Sequence, residues 1–463
     1  MKSLFIYLCI LFSSALTVFS QNSSHSIIGT WIGDLKVGAT LQMIFTVKGP
    51  FILTGTLDVP AQNAKGIPLT IEQKVKTMKF IVESINGRFE GEFKDSVTLE
   101  GLWRQGGGAF PLILKKNDTI RPALLRPQTP TSPFPYKTED ISFPGPSGIL
   151  AGTITYPHSQ GPFPALILIT GSGLQDRDET IFGHKPFLVL ADALTKQGFA
   201  VLRLDDRGIG MSGGSAEFAT TKDFSDDILA GINILKKHKS INPKKIGLLG
   251  HSEGAMIAQI LAAKYPKDIA CIVSMAGPGI SGAQIIETQT QTLASLSMTP
   301  SAAAEAVQQQ RNLMNIVINE QDSIKAEQKI IDSLGYWAVK KKEILVVNSP
   351  ETKAKLKQIM SPWFKYFISY NPKDNLTKIT CPVLALNGSL DIQVQADKNL
   401  GAIKNGLEIA KNKHFSIKKI DSVNHLFQTC KTGQIEEYNL IEQTIEPKVL
   451  QEIISWLELY LKK

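Results

Sequence analysis

From Ile27 to Leu114 apolar and polar positions alternate in short runs: GTWIGDLKV, LQMIFTVKG, FILTGTLDV, LTIEQKV, MKFIVESI, GRFEGEFK, SVTLEGLWRQ and FPLILKK. Glycine, proline or asparagine separates most of them. Alternation with period two sends one set of side chains to one face. Roughly eight such runs at close spacing predict an antiparallel β-sandwich or small barrel over residues 24–117. Trp31 and Trp103 read as core packing, with a ligand-cavity lining as the other role. Residues 118–138 then carry five prolines and no period, a stiff extended linker.

Beyond the linker the rhythm changes to longer apolar runs separated by helical stretches. Ala165–Thr170, Ala200–Leu204, Ile246–Leu249, Ile269–Met275 and Pro382–Leu386 read as buried strands. Phe187–Lys196, and the spacing of Phe224, Ile228, Ile232 and Leu235, read as helices. Strand–helix repetition with fully apolar strands predicts an α/β domain over 139–463. Its sheet is doubly wound, mostly parallel, and covered on both faces. The rhythm stops at about 280–375, where an Ala-, Gln-, Glu- and Lys-rich stretch predicts a helical insertion. Ser301 and Ser349-Pro350 are placed there as N-caps. Such an insertion is either a cap that shapes a pocket or a surface excursion.

The first residues alter the picture of where the chain works. Met1-Lys2, an uncharged apolar run from Leu4 to Phe19 and then Ser20-Gln21-Asn22 read as a signal peptide over 1–20. The run is short for a membrane span of about 20 residues, so export without an anchor is expected, to a periplasm or beyond. That removes Cys9 and leaves Cys271, Cys381 and Cys430, too few and too scattered for a disulfide framework. No CxxC or HxxxH spacing suggests a metal, and no cofactor is expected. The net charge of +8 is spread over scattered lysines with no basic stripe, which argues against a nucleic-acid partner.

The candidate chemistry centres on KKIGLLGHSEGAMIAQILAAKYP, Lys244 to Pro266. A short apolar strand meets an apolar helix across Gly250-His251-Ser252-Glu253-Gly254. A G-x-S-x-G pentapeptide between strand and helix sets its serine on a sharp corner, hydroxyl exposed, with the next N–H aimed where an oxyanion would form. A glycine-rich turn with an incidental serine is the plain alternative.

A serine needs a base, and the base needs a group to hold its tautomer. Of seven histidines, His25 lies in the tail after the signal and His158 in a loop. His238 closes a helix, and His414 begins a strand. His251 points away from Ser252 across the corner. His184 follows an early strand and lines a cleft. His425, in the loop after the last strand, stands at the sheet edge that carries Ser252, and it is the expected base. Asp391, in the loop after the preceding strand, is the expected acid. Asp397 is the runner-up, and satisfying a turn is the plain role of Asp391. The oxyanion donors are the N–H groups of Ser172 and Glu253, with Gly173 next in line. Two charged clusters, Asp176-Arg177-Asp178-Glu179 and Asp205-Asp206-Arg207, border the same edge. They read first as internal ion pairs and second as substrate contacts.

At this point the chain resembles the α/β-hydrolase superfamily, and more narrowly the exported bacterial serine hydrolases related to the serine aminopeptidase and prolyl-oligopeptidase-like groups. The stretches that carry the resemblance are LITGSGLQDRDE, HKPFLVLADALTKQGFAVLRLDDRGIGMSGG, IGLLGHSEGAMIA, PVLALNGSLDIQV and VNHLFQ. The β-rich region is similar to an N-terminal domain often fused to such hydrolases. The resemblance implies nucleophile, acid and base at Ser252, Asp391 and His425. It matches the helical insertion least. Three readings follow. One is an esterase acting on small carboxylic esters of short acyl chain. The second is an aminopeptidase with the same machinery, its substrate ammonium held by the Asp176–Glu179 cluster. The third is a non-catalytic binding protein. Oligomeric state is not legible.

Overall fold

The computed structural model describes residues 27–462 except 38–39, 50–52, 63, 75, 117–125, 341–346 and 348–349. The expected signal segment, the first part of the expected linker and Ser349 lie outside the described residues. The chain divides into two compact units. One comprises Met1–Leu125, Asp322–Ile359 and Ile435–Leu440, and the other Arg126–Gln321, Met360–Gln434 and Ile441–Lys463.

The first unit is built on eight antiparallel strands: β1 (Gly29–Lys36), β2 (Thr40–Lys48), β3 (Thr54–Val59), β4 (Ala64–Gln73), β5 (Thr77–Val82), β6 (Gly87–Asp95), β7 (Thr98–Gln105) and β8 (Gly108–Lys116). Pairing of β1 with β8, Trp31 opposite Lys116, closes them into a barrel. Between the two architectures that the alternation allows, closure wins. Alternate residues such as Met78, Phe80 and Val82 point inward and are fully buried. Eight strands enclose just enough room for side chains. Phe45 stacks on Phe80 at 4.9 Å and meets Trp103 at 6.0 Å. Trp31 is buried, its indole N–H donating to the Ile27 carbonyl at 2.7 Å. Both tryptophans therefore fill the core.

The second unit carries an eight-stranded sheet. In chain order its strands are β9 (Lys137–Gly145), β10 (Gly148–Tyr156), β11 (Phe163–Ile169), β12 (Ala200–Leu204), β13 (Ile241–His251), β14 (Cys271–Met275), β15 (Val383–Gly388) and β16 (Phe415–Ile420). Across the sheet they run β16-β15-β14-β13-β11-β12-β10-β9. Pairing is parallel from β12 through β11 to β16, while β9 and β10 are antiparallel. The antiparallel pair escaped the expected strand list because neither strand is a continuous apolar run: β9 carries Lys137, Glu139 and Asp140, and β10 carries Thr153 and Thr155. β13 is longer than its apolar run. It starts at Ile241 and carries Asn242-Pro243, and the pairing with β11 shifts register there, as a proline inside a strand requires.

Every residue of β12 and β14 is buried because helices cover both faces. On one side Ala165, Ile167 and Ile169 of β11 pack with α2 (Thr221–Lys237), α3 (Glu253–Lys264) and α10 (Ala396–Ile409). On the other, Leu166 and Leu168 pack with α1 (Pro186–Lys196) and α12 (Pro447–Leu457). Each fully buried leucine or isoleucine contributes about 1.5–3 kcal/mol, so the loops leaving the carboxyl edge stand on a rigid frame. The later part of the expected linker is docked. Arg126 donates to the carbonyls of Ile441 and Phe182, both at 2.9 Å, and Gln128 donates to Ile445 at 2.7 Å.

The helical stretch expected at 280–375 divides between the units. α4 (Gly282–Ser297), α5 (Pro300–Asn319) and α8 (Pro362–Ser369) go with the sheet, and α6 (Ser323–Lys340) and α7 (Pro350–Ile359) with the barrel. The cap of α5 is Thr299, which accepts the Ala302 N–H at 3.3 Å. Ser301 lies inside the helix, because Pro300 with its fixed φ takes the first helical position.

Candidate active site

β13 ends at His251 and α3 begins at Glu253, so the whole turn is made by Ser252. Its φ of 54° and ψ of −117° lie in a region that a side-chain-bearing residue adopts only under strain. The surroundings hold it there. The Ser252 N–H donates to the Met275 carbonyl of β14 at 2.8 Å. Neither flanking glycine can carry a side chain. A Cβ on Gly250 would stand 2.1 Å from the Gly254 carbonyl oxygen, and one on Gly254 2.0 Å from that of Ile169. Strand and helix thus approach more closely than any other residue allows. The corner also sets Ser252 at the N-terminus of a twelve-residue helix, whose dipole favours developing negative charge.

Asp391 and His425 leave the same edge. β13 to β16 are adjacent and parallel, so the loops after β13, β15 and β16 emerge on one side. Asp391 is 4 % exposed and divides its carboxylate between two tasks. Oδ1 accepts the N–H groups of Gln393 and Val394, both at 2.8 Å, and Oδ2 faces His425 Nδ1 at 2.7 Å. The turn-satisfying role and the histidine-orienting role are therefore held at once by one side chain. With Nδ1–H committed to the carboxylate, His425 keeps Nε2 as a lone pair able to take a proton. Asp397 lies in the first turn of α10, its exposed side chain paired with Lys419 at 2.8 Å, and takes no part.

Ser172 sits in the loop after β11, half-buried beside Gly171. A Cβ at Gly171 would come within 3.4 Å of the Ser252 Cβ, so this loop abuts the corner. A small cavity opens beside it, lined by Gly171, Gly173 and Glu253 together with Leu150, Phe224, Ile228 and Ile257. Asp205, Asp206, Arg207 and Asp227 add charged groups to a wall that is otherwise largely apolar.

The two charged clusters brace these loops. Arg177 forks onto Asp205 at 2.6 and 3.1 Å, and Arg207 donates to Asp227 at 2.6 Å. Burial alone would raise the Asp205 carboxyl, but Arg177 and the Met211 N–H outweigh it and hold it below the usual range. Asp178 pairs with Arg203 and with Lys185. Asp176 accepts the Thr180 hydroxyl at 2.7 Å, and Glu179 faces His251 at 2.9 Å. His184 is not a cleft residue. It is 1 % exposed and held between Thr444 and Gln428, both at 2.9 Å, in a buried polar network.

One feature lay outside the sequence reading, which gave Glu253 only a backbone role. Its side chain is buried and accepts from Thr221 of α2 at 2.6 Å and from the Trp363 indole of α8 at 2.7 Å. α4 is tied in as well, since Gln289 donates to the Gln393 carbonyl and Gln395 to the Thr292 hydroxyl. Two helices of the insertion thus reach the site's loops, α8 that of Ser252 and α4 that of Asp391. No sequence spacing announces such contacts. Among the described residues no group of histidine, cysteine and carboxylate side chains is arranged to hold a metal, and no helix is long and apolar enough to cross a membrane.

Residues 185–331 match the family described as serine aminopeptidase, S33. The chain is 25% identical over 395 residues to esterase EstD of Thermotoga maritima, covering 83% of this chain and 81% of that protein. An esterase of Pyrococcus furiosus of known structure is 15% identical with a TM-score of 0.43, covering 74% of this chain and 100% of its own. Est1E of Butyrivibrio proteoclasticus, solved with ferulic acid, is 17% identical with a TM-score of 0.43, covering 70% of this chain and 100% of its own. The strand order and the serine at the strand–helix corner give the second unit an α/β-hydrolase fold, the chain is similar in sequence to a serine aminopeptidase family and to an esterase, and the first unit adds an N-terminal antiparallel β-barrel.

Proposed function

We propose that the protein hydrolyses carboxylic esters of short acyl chain through an acyl-enzyme on Ser252. The observation that carries this reading is the Asp391–His425 pair at 2.7 Å, on the sheet edge where Ser252 is strained outward. The kinship to an esterase supports the bond type. In the first half-reaction the Ser252 Oγ attacks the acyl carbon as its proton passes to His425 Nε2. The carbonyl oxygen becomes an oxyanion between the N–H groups of Ser172 and Glu253. Collapse expels the alcohol, which takes the proton from His425, and water then repeats the sequence on the acyl-enzyme to release the acid.

The family match favours a second reading, an aminopeptidase with the same machinery. It needs an acidic anchor for a substrate ammonium. Asp176, Asp178 and Glu179, nominated for that task, each already hold an internal partner.

Hydrolysis of p-nitrophenyl esters from acetate to decanoate tests the first reading. We expect kcat/KM to be highest at acetate or butyrate and to fall steadily beyond. A maximum at octanoate or longer would overturn the acyl preference. Cleavage of free but not N-acetylated aminoacyl substrates, with the esters inert, would establish the peptidase instead.

Export without an anchor is part of the same proposal. The supporting observation is the charged start, apolar run and Ser20-Gln21 junction. Expressed in a Gram-negative host, the protein is expected in the periplasmic fraction with Gln21 as its first residue by terminal sequencing. An uncleaved chain in the cytosol would refute it.

A further inference from the structure

His251 precedes the nucleophile and plays no part in the proton transfers above, yet its ring is 7 % exposed and fully engaged. Nδ1 lies 2.9 Å from Glu179 Oε1, and Nε2 lies 2.9 Å from the backbone carbonyl oxygen of His425. Both partners are acceptors. A neutral imidazole offers one N–H and one lone pair, so one nitrogen would face an oxygen with nothing to donate. With Glu179 ionised, only the doubly protonated ring satisfies both contacts. Glu179, 4 % exposed, supplies the counter-charge, and the same Oε1 accepts the Gly171 N–H at 2.8 Å. Glu179 is itself held at a positive φ of 53°, a local strain that its partners must offset.

Three loops meet in this one cluster. Gly171 precedes the oxyanion donor Ser172, His251 precedes Ser252, and the carbonyl that His251 grips belongs to His425 itself. We infer that His251 is held as an imidazolium that, with Glu179, fastens the oxyanion loop and the base loop to the nucleophile corner. Both are positioning residues for hydrolysis, and this rests on the esterase reading for its catalytic consequence. The groups set against the ring are Glu179, Asp391 and His425, whose own ring lies 4.9 Å away, while Phe427 closes the side at 6.5 Å. When His425 takes up a proton the two rings are charged side by side, and one carboxylate per ring, Glu179 and Asp391, offsets the repulsion.

Burial opposes protonation of His251, but the Glu179 charge and hydrogen bond overcome it, so the ring holds its proton above the usual histidine range. A raised value means that the fastening is complete below the ordinary histidine range and is lost as pH climbs through the folded-state value. Activity therefore falls on the alkaline side as the loops come loose.

Two measurements on the intact protein test this. The first observes histidine ring nitrogens by ¹H–¹⁵N NMR at pH 7 and does not depend on hydrolysis. His251 is expected to carry directly bonded protons on both nitrogens, assigned by the loss of those signals in His251→Gln. The second compares pH profiles on p-nitrophenyl acetate for the wild type and Glu179→Gln, which keeps the shape but removes the charge. The variant is expected to lose about 10²-fold in kcat with little change in KM. Its alkaline limb is expected to move to lower pH, because losing the adjacent opposite charge disfavours the protonated ring. A neutral His251 ring, or an alkaline limb unmoved in the variant, overturns the inference. If the wild type cleaves no ester, the esterase reading fails while the NMR experiment still decides the state of His251.

Discussion

Replacing Ser252 by alanine is expected to lower the turnover of p-nitrophenyl acetate by about 10⁶-fold, the loss seen when such a nucleophile is removed. In barrier terms that is about 8 kcal/mol. The change is chemically narrow. Alanine keeps the Cβ, the corner and the backbone N–H that donates to Met275 at 2.8 Å. The fold should stand while the attacking oxygen disappears. Covalent labelling by a fluorophosphonate should vanish with activity. Turnover within tenfold of the wild type would mean that another group attacks.

The second large effect is expected at Asp391. In Asp391→Asn the side-chain oxygen can go on accepting from Gln393 and Val394, so the turn persists. The amide then presents N–H groups to His425 Nδ1, which must become an acceptor, and the ring proton moves to Nε2. That tautomer cannot receive the Ser252 proton. The expected fall in kcat is about 10⁴-fold, with an unfolding temperature close to that of the wild type. A loss under tenfold would reduce Asp391 to a residue that merely shapes its turn. Equal losses in Asp391→Asn and Ser252→Ala would not separate the roles, but their double variant would. Groups acting as one unit should show far less than the product of the two single effects.

The two substitutions also show where sequence reading has purchase. Ser252 is legible because the constraint on it is local. An apolar strand, an apolar helix and two glycines within five residues force the corner, and the contacts of 2.0 and 2.1 Å that a Cβ would make explain why nothing larger than glycine serves at 250 and 254. Asp391 and His425 are legible at one remove, since each follows a strand of a parallel sheet and parallel strands deliver their loops to one edge. The barrel was legible as eight alternating runs, but alternation is the same in a sandwich and a barrel. Only the pairing of Trp31 with Lys116 closes the ring.

What the chain alone determined, then, was whatever depends on neighbours in sequence: period, turn chemistry, apolar runs and the order serine, aspartate, histidine. What only the tertiary structure decided is how side chains far apart in the chain share their hydrogen bonds. Glu253 between Thr221 and Trp363, and His251 between Glu179 and the His425 carbonyl, have no periodic signature. A buried polar atom must find a partner, and that partner is chosen by whichever element packing brings within 3 Å, not by distance along the chain.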